Sequence, residues 1–427
     1  MSKKIRDKPK SKKPLEIVVQ GKKRGHRHKI LGSLLGLGTL VLTTALLYSP
    51  APRNIGYEFL DIEKEELNVS SKEYAVLDDI IEDVRAAIKK KDTYTKEEAI
   101  DIFSTINTVL KRRGFVYEEG NLLSLGLKSK ITDCDIGSII YASIGDALDL
   151  PINLVYSPRH VFVRWNLDTG DYVNWETTLG AYILEEEFLR HHSVSMPSET
   201  IGRNYMRNIP REELLGLVHK NLGLYFMGRD EYEKAIKHYQ IALDLDPLDI
   251  ENIVSLSNAL VSVGDFEGCI SMSKKAIDMN PNEWGAYTNM AIALVHQKKW
   301  QEAANYINLA IDLFEKFPHD INLNFEKDYR KLFFYRGCCN LELKSYDSAI
   351  EDFTKCAEQD KNNPHLYYNR GIARFRKGDY ASAFEDYKIA AEGGIPEAYS
   401  QMAECKVRLF DWDGANLYLQ KYQDLIK

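Results

Sequence analysis

The sequence lacks the short motifs that identify several large enzyme classes. It contains no G-x-x-x-x-G-K-[ST] loop, no G-x-G-x-x-G turn and no G-x-S-x-G elbow. The first two motifs bind nucleotide phosphates, and the third presents a serine nucleophile. Nucleotide-dependent and serine-hydrolase functions therefore have no support in the sequence, and we expect no cofactor.

Cysteine is also scarce, with 6 residues in a chain of 427. Those in the C-terminal part occupy positions where small residues would pack between helices: Cys269, Cys338, Cys339, Cys356 and Cys405. The adjacent pair at 338 and 339 does not suggest a disulfide framework. His191 and His192 have no Cys, His or Asp partner at metal-ligand spacing, so we expect no metal site. The sixth cysteine, Cys134, lies in the N-terminal half of the sequence.

Positive charge is concentrated at the N-terminus. Residues 1–29 hold twelve Lys and Arg against Asp7 and Glu16, whereas the whole chain carries a net charge of −7. The body of the protein is therefore acidic, which argues against nucleic acid as a partner. The basic tail instead predicts contact with anionic lipid.

An uncharged segment, residues 30–48, follows the tail. As a helix rising ~1.5 Å per residue, it would nearly span a bilayer core of ~30 Å. Because the cationic flank is N-terminal, the pattern predicts a retained signal anchor with the tail at 1–29 in the cytoplasm. A stalk at 49–71 and extracytoplasmic domains would follow, which makes a single-pass membrane protein. A cleaved signal peptide is the alternative interpretation.

Helical periodicity begins after the predicted stalk. Residues 72–91 place apolar side chains at three- and four-residue steps, and Thr95 with Glu98 predicts a capping box that starts a second helix. A third helix is expected over 134–148. The period then changes to that of β-strands, at 152–156, 159–166 and 171–177. We expect these strands to be adjacent, antiparallel and packed on the third helix.

The third helix and the strands carry a candidate catalytic site. Cys134 opens the helix, and His160 lies on the second predicted strand. Asn174 and Glu176 share one face of the third strand, so His160 can meet either of them across the sheet. A thiol at a helix start, an imidazole on a strand, and an amide or carboxylate on the next strand are the parts of a Cys-His-Asn/Asp nucleophile. The alternative is a packed core without catalysis.

Residues 121–178 resemble the transglutaminase-like superfamily of papain-like cysteine enzymes. The likeness is carried by the Cys134 helix, by GDALDLPINLVYSPRHVFVRW and by VNWETT. It implies an α+β papain/transglutaminase-like domain at 72–205, with Cys134 as nucleophile, His160 as base and Asn174 as the third member. Glu176 is the reserve for that third place. The sequence departs from the family pattern because two acids flank the cysteine, and their charge would oppose ionisation of the thiol.

A period of 34 residues extends over residues 216–427. Small residues recur at this spacing where paired helices would touch, as in Gly223, Ala235 and Ala242, then Ser257, Cys269 and Ala276. This is the signature of tetratricopeptide repeats. It predicts an all-α solenoid of five to six repeats whose groove binds a protein or peptide.

Two functions of different class remain open at this point. The first is a membrane-anchored cysteine hydrolase or acyl-transfer enzyme that acts on amide bonds, with the repeats binding a partner. The second is a membrane-tethered protein-binding scaffold in which the N-terminal domain is catalytically inactive. A reactive, accessible thiol favours the enzyme, whereas the scaffold tolerates a buried thiol.

Overall fold

The computed structural model describes residues 53–118, 120, 122–157, 160–187, 201, 205–317 and 325–426. Most of these residues are helical. The helices that precede the repeats are α1 (Ile55–Glu66), α2 (Ser71–Ala87), α3 (Lys96–Arg112), α4 (Leu123–Ser129) and α5 (Cys134–Leu148). The strands among and after them are β1 (Val116–Tyr117), β2 (Ile131–Thr132), β3 (Ile152–Ser157), β4 (His160–Asn166), β5 (Tyr172–Glu176) and β6 (Ala181–Tyr182).

The helices of the repeat region follow one another in pairs along the chain. They are α6 (Arg211–Met227), α7 (Tyr232–Leu245), α8 (Ile250–Val263), α9 (Phe266–Met279), α10 (Trp284–His296), α11 (Trp300–Lys316), α12 (Phe325–Glu342), α13 (Tyr346–Gln359), α14 (Pro364–Lys377), α15 (Tyr380–Glu392), α16 (Glu397–Arg408) and α17 (Trp412–Leu425). The paired helices and their spacing confirm the repeats predicted from the 34-residue period.

Strands β3 to β6 form one antiparallel sheet in chain order. Across β3 and β4, Ser157 pairs with His160, and across β4 and β5, Arg164 pairs with Asn174. The predicted adjacent antiparallel strands are therefore confirmed. The face of β4 that carries Val163 and Trp165 belongs to the hydrophobic core, where α5 packs against the sheet.

The local signals for two helices are also confirmed. Thr95 and Glu98 form the predicted capping box at the start of α3, because each side chain accepts a hydrogen bond from the other residue's backbone N–H. Helix α5 begins at Cys134 and ends at Leu148, as the apolar stripe indicated. Both ends of α5 are defined by polar neighbours, Asp133 as the N-cap and Asp149 as the C-cap.

The helices before the repeats and the first repeat helices share one hydrophobic core. Its buried side chains include Phe59, Phe103 and Trp165 as well as Leu222 and Ala286. The described residues divide into two compact units, and the division falls near residue 294 and not between 205 and 216. The repeat helices α6 to α9 thus belong to the same unit as the sheet, which we call the first compact unit.

The predicted fold class, an α+β papain/transglutaminase-like domain followed by an all-α solenoid, is therefore wrong. The described chain is a mostly helical solenoid of the tetratricopeptide type, and its four-stranded sheet packs into the core that the first repeats use. Sequence periodicity could not show this, because contacts between residues far apart in the chain leave no local pattern.

The predicted membrane topology is corrected as well. None of the described helices is both long and apolar enough to cross a membrane. Helix α12 has the length, but it carries the charged side chains of Arg330, Lys331 and Arg336. The predicted tail at 1–29 and anchor at 30–48 lie outside the described residues. A single-pass membrane protein with extracytoplasmic domains is therefore not supported.

The segment predicted as a stalk, 49–71, contains a folded helix. Helix α1 buries Ile55, Phe59 and Leu60 in the core, and its Gly56 lies so close to α5 that an added Cβ would be 2.2 Å from Ser143 Oγ. The sequence pattern did not indicate this helix, because its buried face includes a carboxylate, Glu63, as well as apolar side chains.

Glu63 ties α1 to α4 through a buried carboxylate that is 1% exposed. Its Oε1 accepts a hydrogen bond from the N–H of Leu123 and its Oε2 from the N–H of Ser124, both at 2.8 Å. These N–H groups belong to the first turn of α4, which has no side-chain cap of its own. Burial raises the pKa of Glu63 to about 6, although its hydrogen bonds with Ser124 and Leu123 oppose the shift.

We predict that Glu63 makes folding depend on pH in the acidic range. Because its pKa is raised in the folded state, its contribution is most favourable below pH ~4.5 and is lost as the pH rises through about 6. The wild type should therefore lose ~2 kcal/mol of unfolding free energy from this group across that range. Glu63→Gln should lack this pH dependence in urea unfolding, so its stability relative to the wild type should rise as the pH increases from ~4.5 to 7. A wild-type-minus-variant difference that stays constant with pH would contradict the assignment.

Glycine in the first helix of several repeats permits close packing on an aromatic ring of the second helix. A Cβ added at Gly223 would lie 2.4 Å from the ring of Tyr239, and one added at Gly371 would lie 2.8 Å from Tyr387. Both aromatic side chains are fully buried. The small residues of the 34-residue period therefore mark sites of direct helix–ring contact.

We predict that Gly223→Ala destabilises the first compact unit by about 1–3 kcal/mol, because the added methyl group forces the ring of Tyr239 out of its position. Gly228→Ala is the matched control, since its Cβ would make only ordinary contacts at 3.7 Å. Urea unfolding followed by tryptophan fluorescence measures both variants. Equal stability of the two variants would show that the close contact has no energetic consequence.

Candidate cysteine site

The candidate nucleophile lies in the first turn of α5. Asp133 caps the helix by accepting a hydrogen bond from the N–H of Ile136 at 2.8 Å, and its other oxygen accepts from the N–H of Gly120 at 3.3 Å. Cys134 follows as the first helical residue. It is partly exposed, whereas the other five cysteines are buried. Cys134 is therefore the most exposed of the six cysteine residues, although its sulfur is largely shielded from solvent.

The first turn of α5 lies against the beginning of β4. Ser138 Oγ donates to the carbonyl oxygen of Val161 at 3.3 Å, and the N–H of Val161 faces the sulfur of Cys134. Val161 directly follows His160 on the strand. The structure thus brings the thiol to the backbone beside the predicted base, although 26 residues separate Cys134 from His160 in the chain.

His160 has a carboxylate partner. Its Nε2 lies 2.5 Å from Oε2 of Glu176, and both side chains are nearly buried, at 11% and 4% exposure. The second oxygen of Glu176 accepts from the N–H and the hydroxyl of Thr178, at 2.9 and 2.7 Å. Both oxygens of the carboxylate are therefore bound, which fixes its orientation toward the imidazole.

Asn174 has a different partner. Its Oδ1 accepts from Arg164 Nε at 2.8 Å, and the same guanidinium donates to the carbonyl of Met206 and to Glu185. The strand register explains this arrangement. Arg164 stands directly opposite Asn174, whereas Glu176 is displaced by two residues toward the end of the strand where His160 lies. The geometry therefore pairs His160 with the reserve residue Glu176 and not with Asn174.

Burial and nearby charge keep the thiol in its neutral form. Burial raises the pKa of Cys134 well above its ordinary value, and the carboxylates of Asp135 and Asp133 raise it further, while the N–H of Val161 opposes them. Burial and the charge of Asp135 also raise the pKa of Asp133 to about 7. The expected opposition of the two flanking acids to thiol ionisation is thus present in the structure.

The carboxylate of Glu176 is ionised. Burial acts to raise its pKa, but the hydrogen bond and charge of His160 and the two bonds from Thr178 outweigh burial, so the pKa lies below its ordinary value. The contact with this carboxylate fixes the orientation of the imidazole ring.

The first repeat helix reaches the site, which the sequence did not predict. Asn221 on α6 donates from Nδ2 to Asp135 Oδ2 at 3.1 Å, and Lys220 beside it is a buried cation. Lys220 pairs with Asp249 at 3.3 Å and with Glu251 at 3.4 Å. A separation of 86 residues between Asn221 and Asp135 leaves no local signal for this contact.

Within the described residues, no group of three or more His, Cys, Asp or Glu side chains is arranged to hold a metal ion. His191 and His192, for which the sequence offered no metal partners, lie outside the described residues.

Two tetratricopeptide-repeat family models match this chain, at residues 216–249 and 340–398. The chain therefore contains tetratricopeptide repeats, a class whose stacked helix pairs form recognition surfaces for other proteins. The predicted transglutaminase-like resemblance has no counterpart among these matches.

This chain matches only a part of the curated relatives. It is 24% identical over 166 residues to a DnaJ homolog subfamily C member 7 homolog of Dictyostelium discoideum, covering 34% of this chain and 28% of that protein. It is 29% identical over 92 residues to Hsp70-Hsp90 organizing protein 1 of Glycine max, covering 21% and 16%. The matches thus span less than a third of either relative's length.

Similar solved structures are also repeat proteins. The chain is 19% identical to Pseudomonas aeruginosa pilF, covering 51% of this chain and 98% of that one with a TM-score of 0.41. It is 16% identical to YrrB, described as a TPR protein with an unusual peptide-binding site, covering 44% and 91% with a TM-score of 0.37.

We predict that Asn174 stabilises the fold through Arg164. Asn174→Ala should lower the free energy of unfolding by about 1–3 kcal/mol, because the buried Nε of Arg164 loses its acceptor. Urea unfolding measures the loss. Asn153→Ala is the control, because that side chain is more exposed and donates to the carbonyl oxygen of Pro151, two residues before it in the chain. Equal stability of the two variants would contradict the role assigned to Asn174.

Proposed function

We propose that this protein hydrolyses or transfers acyl groups from amide bonds at Cys134, and that its repeats bind the protein or peptide that carries the amide. The observation that supports catalysis is the bond between His160 and Glu176, together with a cysteine of intermediate exposure at the start of the helix that packs on the same strand as His160. A nucleophile, a base and an oriented acid are the minimum set for this chemistry.

The electrostatics favour a general-base mechanism. Because burial and the two neighbouring acids keep the Cys134 thiol neutral, His160 takes its proton as the sulfur attacks the carbonyl carbon of the substrate. A C–S bond forms, and the C–N bond breaks as His160 returns the proton to the leaving amine. Water or a second amine then releases the acyl group from sulfur. Glu176 remains ionised and stabilises the imidazolium in each step.

The start of α5 supplies a binding place for the negative charge that develops on the carbonyl oxygen. The first N–H groups of a helix have no partner inside the helix, and the helix dipole favours an anion there. We assign the backbone N–H of Cys134 to this role, in keeping with its position as the first helical residue.

The repeats provide partner binding on the same compact unit as the cysteine. Helices α6 to α9 share the core that contains α5 and β4. A partner held on these helices would thus be held by a surface rigidly connected to the thiol. This supports delivery of a protein substrate and leaves the identity of that substrate to experiment.

A protein-binding scaffold without catalysis is the second candidate. The observation that favours it is the strongly raised pKa of Cys134, which leaves little thiolate at neutral pH. In this alternative the polar residues around the thiol have a structural role, and the repeats carry the function.

Alkylation and acylation of Cys134 distinguish the two candidates. We predict that iodoacetamide labels Cys134 faster than Cys269 at pH 7, and that His160→Ala slows the labelling of Cys134 by about tenfold or more, because the base that takes the thiol proton during attack is lost. Glu176→Gln should also slow it, because the imidazolium loses its counter-charge. p-Nitrophenyl acetate should acetylate Cys134 with a burst of p-nitrophenol. Peptide mass spectrometry locates both modifications.

Asn174→Ala is the matched control for these variants. Its side chain shares the strand face of Glu176 but bonds to Arg164, so it should change stability and leave the labelling rate unaltered. The catalytic proposal fails, and the scaffold stands, if His160→Ala and Glu176→Gln label Cys134 as fast as the wild type and no acetyl group is found on sulfur.

A further inference from the structure

We propose that Asn221 of the first repeat is a positioning residue that holds Asp135 against the Cys134 thiol, so that the repeat keeps the thiol in its neutral resting form. The inference deepens the proposed function and rests on it for its catalytic meaning. The proposal is argued from two hydrogen bonds of Asp135, one with Cys134 and one with Asn221. Neither bond includes His160 or Glu176.

The first contact joins Asp135 to the thiol. The Cys134 sulfur donates to Asp135 Oδ1 at 3.5 Å, a hydrogen-bond distance for sulfur. A carboxylate that accepts the thiol proton stabilises the neutral thiol and repels the thiolate. Adjacent side chains on a helix do not face each other by default. Some other group must therefore hold Asp135 in this rotamer.

The second contact supplies that restraint. Asn221 Nδ2 donates to the other oxygen of Asp135 at 3.1 Å, and Asn221 is 4% exposed. The two oxygens of one carboxylate thus bind the thiol on one side and the repeat on the other. Because Asn221 lies in the core that α6 shares with α5, its position is fixed by packing.

The remaining charged groups around the thiol come from several elements. Asp133 and Asp135 face it from α5, while His160 on β4, with Glu176 behind it on β5, lies beside Val161. On the repeat side, Lys220 is held by Asp249 and Glu251 and lies 5.7 Å from the ring of Tyr156 on β3.

Lys220 contributes to the same arrangement. Burial acts to lower its pKa, but the charges of Asp249, Glu251 and Asp135 outweigh burial and keep the pKa well above its ordinary value. The ammonium is therefore charged. Its charge and the hydrogen bond from Asn221 both act on the carboxylate of Asp135, so the repeat acts on the cysteine through two neighbouring side chains.

The consequence is a site whose reactivity depends on the first repeat. When Asp135 is in place, His160 must remove the thiol proton against the attraction of a carboxylate. Any change that displaces Asn221 from Asp135 releases that restraint and makes the thiol more acidic. The first repeat would then serve as a regulatory element as well as a binding surface.

The test is the pH profile of Cys134 alkylation by iodoacetamide in the full chain, measured over the neutral and alkaline range by peptide mass spectrometry. Asp135→Asn should move the midpoint of the alkylation profile to lower pH. The alkylation rate at pH 7 should then rise about tenfold for each pH unit by which the midpoint falls. Asn221→Ala and Asn221→Leu should move it in the same direction by a smaller amount. The double variant Asp135→Asn with Asn221→Ala should match Asp135→Asn alone, because both act through one contact.

Asn252→Ala is the matched control. Asn252 is a buried amide of the same compact unit that donates to the carbonyl of Tyr239 and does not contact Asp135. Asn252→Ala should lower the free energy of unfolding without moving the midpoint of the Cys134 alkylation profile. The use of both Ala and Leu at Asn221 separates loss of the donor from loss of volume.

Two outcomes overturn the proposal: a midpoint unchanged in Asp135→Asn, or effects of Asp135→Asn and Asn221→Ala that add independently. The first outcome is measured on Asp135→Asn alone, so it can overturn the proposal even if the Asn221 variants do not fold. Failure of the proposed catalysis gives a separate signature. His160→Ala would then leave the labelling rate unchanged while the Asp135 and Asn221 variants still move the midpoint.

Discussion

Burial of helix α5 is the constraint on which the rest of the first compact unit depends. From Ile136 to Leu148 nearly all of its side chains are buried, polar Ser138 and Ser143 included. A helix with apolar side chains around most of its circumference must be enclosed by other elements. Helices α1 and α2 cover it on some sides, and strands β3 and β4 cover it on others.

That enclosure places the candidate site. Once α5 is buried, its first turn meets the start of β4, and Cys134 lies beside Val161 and thus next to His160. The same burial has an electrostatic cost for the thiol, since a desolvated sulfur between two acids ionises poorly. The candidate site therefore combines a neutral thiol with an ionised Glu176 that is bound to His160.

The correction of the fold class has the same physical origin. The strands and the third helix were predicted with nearly their observed bounds, but they do not form a separate α+β domain, because their core continues into the first repeats through residues such as Leu222 and Ala286. The cysteine site and the first repeat are consequently one structural unit. A repeat that contributes Asn221 and Lys220 to the surroundings of the thiol is more than an attached binding module.

Local sequence determined the elements whose causes are local. The capping box at Thr95, the length of α5 and the 34-residue repeats all follow from spacing within one segment. The contact of His160 with a residue of β5 was also foreseeable, because strand alternation restricts its partners to Asn174 or Glu176. Tertiary structure decided between them, since register sets Asn174 opposite Arg164. It also decided the folding of α1, the buried Glu63 cap and the contact between Asn221 and Asp135. These features depend on packing between segments that are 60 to 91 residues apart, and no local period in a sequence encodes such contacts.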